Sequence, residues 1–270
     1  MHAGDAANIL TTDYWAGVEY ADHTLYRPVT IATYALQHAV HGPDPAPYHV
    51  VNVLLHALVT LLLGWLVRDL FRNDAMAVIA ATLFAVHPVH VEAVAGVVGR
   101  AEILALGGTL LATLAWFRAG SGHPRAWSAV AVAAYAVGAG SKETGVLAPA
   151  VILATEVLLP ARRRLLPSRR PAGRRPPSGR PRDVLAVLTF AGFLAVGAAY
   201  LALRGAAVSG RSINAAMAAL STGERMLASL RILGENVGLL FVPTSLSADY
   251  PASSVAGGGV ADPATLAGIV

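Results

Sequence analysis

The stretch His87-Pro88-Val89-His90-Val91-Glu92-Ala93-Val94, followed by Gly99-Arg100-Ala101-Glu102, sets five ionisable groups between strongly apolar runs. Charge at the edge of an apolar segment is costly, and it points to chemistry or transport. His87, His90 and Glu92 follow an H-x-x-H-x-E pattern whose donor atoms suit a divalent ion. The pattern lacks the i, i+4 spacing of a helical H-E-x-x-H zinc site, so no metal or other cofactor is favoured. The preferred expectation is that Pro88 breaks the preceding helix, His87 caps it by reaching its free carbonyls, and Glu92 opens the next helix facing a cleft. A carboxylate in such a partly desolvated place is suited to act as a base on an acceptor group.

Two cations stand close to these words in type and setting. Lys142 is the single lysine beside nineteen arginines and sits in Ser141-Lys142-Glu143-Thr144. With Arg100 it offers a pair of positive charges that can hold an anionic headgroup such as a lipid phosphate. The plainer alternative for Arg100 is an ion pair with Glu102 or Glu92. His49, Asn52 and His56 recur at i, i+3 and i+7, one stripe of an otherwise apolar helix. Interhelical hydrogen bonding is the expected use of Asn52 and His56, whereas His49, nearest the surface, is a candidate ligand contact. At the N-terminal side, Asp13-Tyr14-Trp15 and Tyr26-Arg27-Pro28 join charge to aromatics ahead of Ile31 to Val40, which reads as an interfacial helix. Arg27 and Tyr26 extend the candidate binding set.

The elements that must position these groups are membrane helices. Hydrophobic residues make up 55% of the chain and charged residues only 13%, too apolar for a surface that must be hydrated. Apolar runs at 50–67, 75–86, 103–117, 126–140, 145–159 and 184–203 predict six spans in an all-α, polytopic helix bundle. A short second helix is expected over 89–100, and 226–242 reads as an outer-surface or broken helix. The division is an extracytoplasmic segment over 1–47, membrane helices with two outer loops over 48–159, a linker over 160–183, and a helix, outer loop and further helix start over 184–270.

Loops 68–74, 118–125 and 160–183 fall on one side if successive spans alternate, and they carry thirteen arginines. The positive-inside rule puts those loops in the cytoplasm and the HPVHVE and SKET loops outside. The Pro/Arg-rich linker can bury nothing and is expected to be disordered and drawn to anionic lipid. Its nine arginines have no aromatics to stack on bases, so nucleic acid is not an expected partner. With no cysteine, disulfides and thiolate metal sites are excluded. No signal peptide is legible in the first twelve residues, and Leu266 to Val270 looks like one turn of a further helix, so the chain reads as a piece of a longer protein.

The words YRPVT, YHVVNVLLHAL, FAVHPVHVEAVAGVVGRAE, SKETG and LSADYP occur in this order across residues 11 to 252. The set resembles the membrane half of the TMTC family, the transmembrane and tetratricopeptide-repeat O-mannosyltransferases and their bacterial relatives. That resemblance implies a GT-C type glycosyltransferase, which passes a sugar, such as mannose, from a polyprenyl-phosphate donor to an extracytoplasmic acceptor, protein Ser/Thr or glycan. It also implies an acidic base in the first outer loop, expected with the first membrane helix ahead of Met1, so Glu92 and Asp13 are the candidate acids within this sequence, and cations that steady the departing lipid phosphate, for which Arg100 and Lys142 are the candidates. His87, His90, His49, Arg27 and Tyr26 would line the substrate site. The adjacent acidic pair of the family does not occur in residues 1–30, where Asp5, Asp13, Glu19 and Asp22 stand singly. Membrane lipids are the remaining expected partner and a bacterial inner membrane the expected location. The rival reading is a transporter or lipid-binding scaffold, with the His49 to His56 stripe and Glu92 forming a polar pathway.

Overall fold

The computed structural model describes residues 6–18, 24–119, 123–159, 180–208, 221–243 and 246. Among them the regular structure is helical throughout. Two compact units are present: Met1–Val86 with Ala93–Gly210, and His87–Glu92 with Arg211–Val270.

The first unit is assembled from helices α1 (Ala6–Thr11), α2 (Pro28–His41), α3 (Pro45–Phe71) and α4 (Asp74–Val86), then α6 (Arg100–Arg118), α7 (Pro124–Ser141), α8 (Ala148–Leu158) and α9 (Arg180–Ala207). The short α5 (Val91–Ala95) lies where the two units are joined in sequence. Local chemistry sets the limits of α3: Asp44 accepts the amide of Ala46 at 3.0 Å, Pro45 supplies the first helical position, and Arg72 closes the helix in the left-handed region at φ 52.

Helix α3 shows how the chain divides lipid from protein. Tyr48, Asn52, Val59, Leu62 and Leu66 are buried, while Val50, Leu54, Leu58, Leu61 and Trp65 on another face stay exposed. An exposed apolar face on a helix this long is what a hydrocarbon solvent requires. Helix α6 is the centre of the unit and packs on α3, α7 and α8. One face joins Val59, Leu62 and Leu66 through Ile103, Leu110 and Leu114, and the other joins Ala131, Ala134 and Tyr135 through Ala112 and Ala115. Gly108 lets α6 and α7 approach: a Cβ there would fall 2.6 Å from the Gly138 Cα. At 19 residues α6 is about 27 Å long, close to the hydrocarbon thickness. Its far end carries Arg118, whose Nε donates to Asp69 at 2.8 Å and whose guanidinium lies 5.4 Å from the Trp127 ring centre.

Among the described residues three helical stretches are long and apolar enough to cross a membrane, Pro45–Phe71, Val97–Arg118 and Val184–Ala207, with a fourth if Asp74–Val86 and Pro88–Ala95 count as one broken span. This multi-pass count corrects the six predicted spans. The runs at 126–140 and 145–159 do form helices, α7 and α8, but α8 has 11 residues and α7 is diluted by Gly, Ser and Ala. The predicted helix over 89–100 is also corrected. Pro88–His90 is a 3-10 turn, α5 stops at Ala95, and a second 3-10 turn over Val97–Gly99 leads into α6, because Gly96 is extended at ψ 128. Helix α9 begins at Arg180, four residues before the expected run. The linker residues 160–179 and the LSADYP word beyond Leu246 lie outside the described residues.

In the second unit, α10 (Thr222–Phe241) is opened by a capping box in which the Ser221 hydroxyl accepts the Glu224 amide and the Glu224 carboxylate accepts the Ser221 amide. Its interior holds an i, i+4 pair, Arg231 to Glu235 at 3.0 Å. It is not among the candidate spans, in keeping with its expected surface or broken character.

Candidate functional site

The start of α6 is built around a buried guanidinium. Arg100 is 1% exposed. Its Nε donates to Asn52 Oδ1 at 2.9 Å, one terminal nitrogen donates to the Tyr48 carbonyl at 3.2 Å, and the other approaches Thr33 Oγ1 at 3.5 Å. The rings of Tyr34 and Tyr48 lie 4.7 and 5.6 Å from its central carbon, a cation–π arrangement that replaces part of the lost hydration. The alternative ion pair of Arg100 with Glu102 is not made; Glu102 pairs with Lys142 instead. The reason is steric and local: Arg100 is the first residue of α6 and turns into the α2–α3 side of the unit, where neutral acceptors meet it.

The same cluster fixes the loop before α6. Asn52 Nδ2 donates to the Gly96 carbonyl at 2.9 Å, and the Tyr34 hydroxyl donates to the Val97 carbonyl at 2.6 Å. Burial, with help from nearby Tyr14, pushes the Tyr34 phenol well above its ordinary value, so it stays a donor. Of the predicted stripe, Asn52 is thus spent on interhelical bonding, and His56 Nε2 lies 3.3 Å from the Ala85 carbonyl and stacks on Phe84. His49 is exposed.

Lys142 and Glu143 form the second feature. Helix α7 ends at Ser141, and Lys142 is extended before the short 3-10 turn Glu143–Leu147. Extended backbone sends successive side chains in opposite directions. Lys142 pairs with Glu102 of α6, and Glu143 pairs with Arg27 at the start of α2. Arg27 uses both Nε, at 3.3 Å, and a terminal nitrogen, at 3.1 Å, on the same oxygen, Glu143 Oε2. The turn depends on Gly145, where a Cβ would fall 2.1 Å from the Gly138 carbonyl oxygen. Thr30 Oγ1 donates to the Ser141 carbonyl at 2.9 Å and locks α2 to this corner. Beside it, the Tyr200 hydroxyl of α9 donates to the Tyr26 carbonyl and Arg204 donates to the Thr24 carbonyl, each at 3.2 Å.

Tyr26 is fully buried and its hydroxyl donates to the Leu10 carbonyl, so the ring packs where a substrate contact was expected. Asp13 is half-buried and accepts the Trp15 amide at 2.8 Å, a turn-forming bond. Arg27 also lies 5.6 Å from the Tyr14 ring centre. The residues that went unnoticed in the sequence are Tyr34, Tyr48 and Arg204; Tyr48 alone had a signal, as the first letter of YHVVN.

Helix α4 does end before Pro88, but His87, the first residue of the second unit, caps forwards rather than backwards. Its backbone is extended, and Nδ1 accepts the Val89 amide at 3.2 Å, because proline leaves the next free amide there. Its Nε2 lies 3.0 Å from the Leu240 carbonyl, and the His87 and His90 rings are 6.0 Å apart. Glu92 is in the first turn of α5 as expected, yet it is exposed, so the enclosed setting predicted for it is not what this unit provides. No group of three metal-ligating side chains is found among the described residues.

A family profile described as dolichyl-phosphate-mannose-protein mannosyltransferase matches residues 22–172. The chain is also similar to protein O-mannosyl-transferase TMTC1 of Homo sapiens, 44% identical over 113 residues that make up 41% of this chain and 13% of that protein. It is 35% identical to the Homo sapiens TMTC3 enzyme over 156 residues, 56% of this chain and 17% of the relative. For tmtc2 of Xenopus laevis the figures are 42% over 98 residues, 36% of this chain and 12% of the relative. The matched stretch thus spans less than a fifth of these relatives. No solved structure matches the chain.

Proposed function

As the chain belongs to the dolichyl-phosphate-mannose-protein mannosyltransferase family, we propose that it serves transfer of mannose from a polyprenyl-phosphate donor to a hydroxyl of an extracytoplasmic protein or glycan. The acceptor oxygen attacks the anomeric carbon as the bond from that carbon to the phosphate oxygen breaks. The polyprenyl phosphate leaves, configuration inverts, and the acceptor proton passes to a carboxylate. Glu92 is the proposed carboxylate, with Asp13 the alternative, and His87, His90 and His49 are each proposed as acceptor contacts.

One observation carries the reading: where α6 begins in the first unit, Lys142 pairs with Glu102 while its chain neighbour Glu143 turns the other way to Arg27. A lipid phosphate arriving there can replace Glu102 on Lys142, since both offer oxygens to the same ammonium. Lys142 is then the phosphate contact, and Arg100, closed in by Asn52 and two tyrosines, is a positioning residue rather than a clamp. Tyr26 supports Arg27 from below through the backbone. The HPVHVE and SKET words face outward in this proposal, and the membrane is a bacterial inner membrane. Nucleic acid has no role in it. The pathway of the rival transporter reading draws no support from Asn52 and His56, both of which are engaged with backbone carbonyls.

The test is direct: membranes carrying the chain are given polyprenyl-phosphate mannose labelled in the sugar, with a Ser/Thr-rich peptide as acceptor. Label is expected in the peptide and lost in Lys142→Gln. Donor that neither binds nor transfers would remove the proposal.

A further inference from the structure

The corner formed by α2, α7 and α9 holds two buried polar atoms whose needs are unmet among the described residues, Glu143 Oε1 and Arg204 Nε. Arg27 directs Nε and one terminal nitrogen to Glu143 Oε2 and leaves Oε1 as an acceptor. Arg204 spends a terminal nitrogen on the Thr24 carbonyl and leaves Nε–H as a donor. Arg204 holds the Thr24 carbonyl and Tyr200, one turn earlier on α9, holds the Tyr26 carbonyl, so both meet the short segment from which Arg27 reaches Glu143. Buried polar atoms left in this way on half-buried side chains cost more than the bonds they lack, so native chains rarely keep them without a use.

The chemistry of the pair narrows the ligand. A phosphate would satisfy Arg204 but would set its lone pairs against those of Glu143 Oε1. An ammonium would do the reverse, and an apolar group would satisfy neither. A sugar fits both, because a hydroxyl can donate to one atom and accept from the other. The rings of Tyr26 and Tyr200 pack 5.8 Å apart in the same corner.

We propose that Glu143 Oε1 and Arg204 Nε read hydroxyl groups of the hexose carried by the lipid donor, making this corner the sugar subsite while Lys142 faces the phosphate. The inference rests on the proposed lipid-linked donor. Arg27 is then the residue that turns Glu143, and specificity for the sugar is separate from affinity for the lipid phosphate.

The test compares two probes on the chain in nanodiscs, polyprenyl phosphate and polyprenyl-phosphate mannose, by binding titration with wild type, Glu143→Gln and Arg204→Gln. Wild type is expected to prefer the mannosylated lipid. Each variant is expected to bind the sugar-free lipid within about twofold of wild type and the mannosylated lipid about tenfold or more weakly, the loss of one charge-assisted hydrogen bond. Equal weakening for both lipids, or no change for either, overturns the sugar subsite. Wild type that binds both lipids equally also overturns it while leaving the donor phosphate reading standing. Wild type that binds neither removes both. Melting midpoints close to wild type in the two variants keep misfolding from imitating the expected result.

Discussion

Arg100 Nε donates to Asn52 Oδ1 at 2.9 Å, and the other end of the same amide donates to the Gly96 carbonyl at 2.9 Å. Asn52 thereby joins three segments, α3, the first turn of α6 and the loop that leads into it. Asn52→Leu keeps the volume and removes both bonds, leaving a buried guanidinium donor and a carbonyl without partners. A loss of about 3 kcal/mol is expected, the usual cost of stripping a buried charge of its partner. Thermal unfolding in detergent reads it; an unchanged midpoint would mean that Tyr34 and Tyr48 alone hold Arg100.

Packing of α6 on α7 turns on the absence of a side chain at Gly108. Gly108→Ala sets a methyl 2.6 Å from the Gly138 Cα, in backbone that has no rotamer to yield. Destabilisation of about 1–3 kcal/mol is expected, as for other overpacked cores. Gly205→Ala in α9 is the matched control, since nothing lies within 4 Å of a Cβ there. There, helix propensity alone predicts a slight gain. Equal melting behaviour of the two variants would contradict the close approach.

These two positions show what was legible. The i, i+3, i+7 stripe announced that Asn52 faces protein, and Pro88 announced the break after α4, because both are local patterns. Glu143 lies 116 positions from Arg27, and Arg100 lies 48 from Asn52. No periodicity spans such distances, so the sequence could set Lys142 beside Arg100 by type but could not show that Lys142 meets Glu102 and Glu143 meets Arg27. Short alanine- and glycine-rich runs misled in another way: α7 and α8 are apolar enough to be buried by protein, yet too short or too weakly apolar to pass as spans on their own.

The capping box of α10 carries a pH signature. Hydrogen bonds from the Ser221 hydroxyl and amide hold the Glu224 carboxyl below its ordinary value of 4.5. A carboxylate lowered on folding contributes stability that is complete above that value and is lost as the pH falls through the folded value. Protection of the Ser221 and Glu224 amides against exchange, taken relative to the intrinsic rate at each pH, is therefore expected to fall below about pH 4.5, and Glu224→Gln to remove that pH dependence. Protection that is flat across the range would deny the box.

The ion pair of Lys142 with Glu102 separates a structural role from a ligand role. Both side chains are partly exposed, at 22% and 48%, so the pair itself is expected to contribute less than about 1 kcal/mol to stability. Breaking it from either side should then give equal, small shifts in melting. Binding of polyprenyl phosphate is expected to move in opposite directions. Lys142→Gln removes the cation and weakens binding about tenfold, whereas Glu102→Gln removes the carboxylate that competes for the same ammonium and strengthens it several-fold. Salt weakens the wild type and Glu102→Gln more than Lys142→Gln, because only the first two retain the charge on which the phosphate is received. A titration series at two ionic strengths reads both effects, and loss of binding in Glu102→Gln would show that the carboxylate orients Lys142 instead of competing with the phosphate.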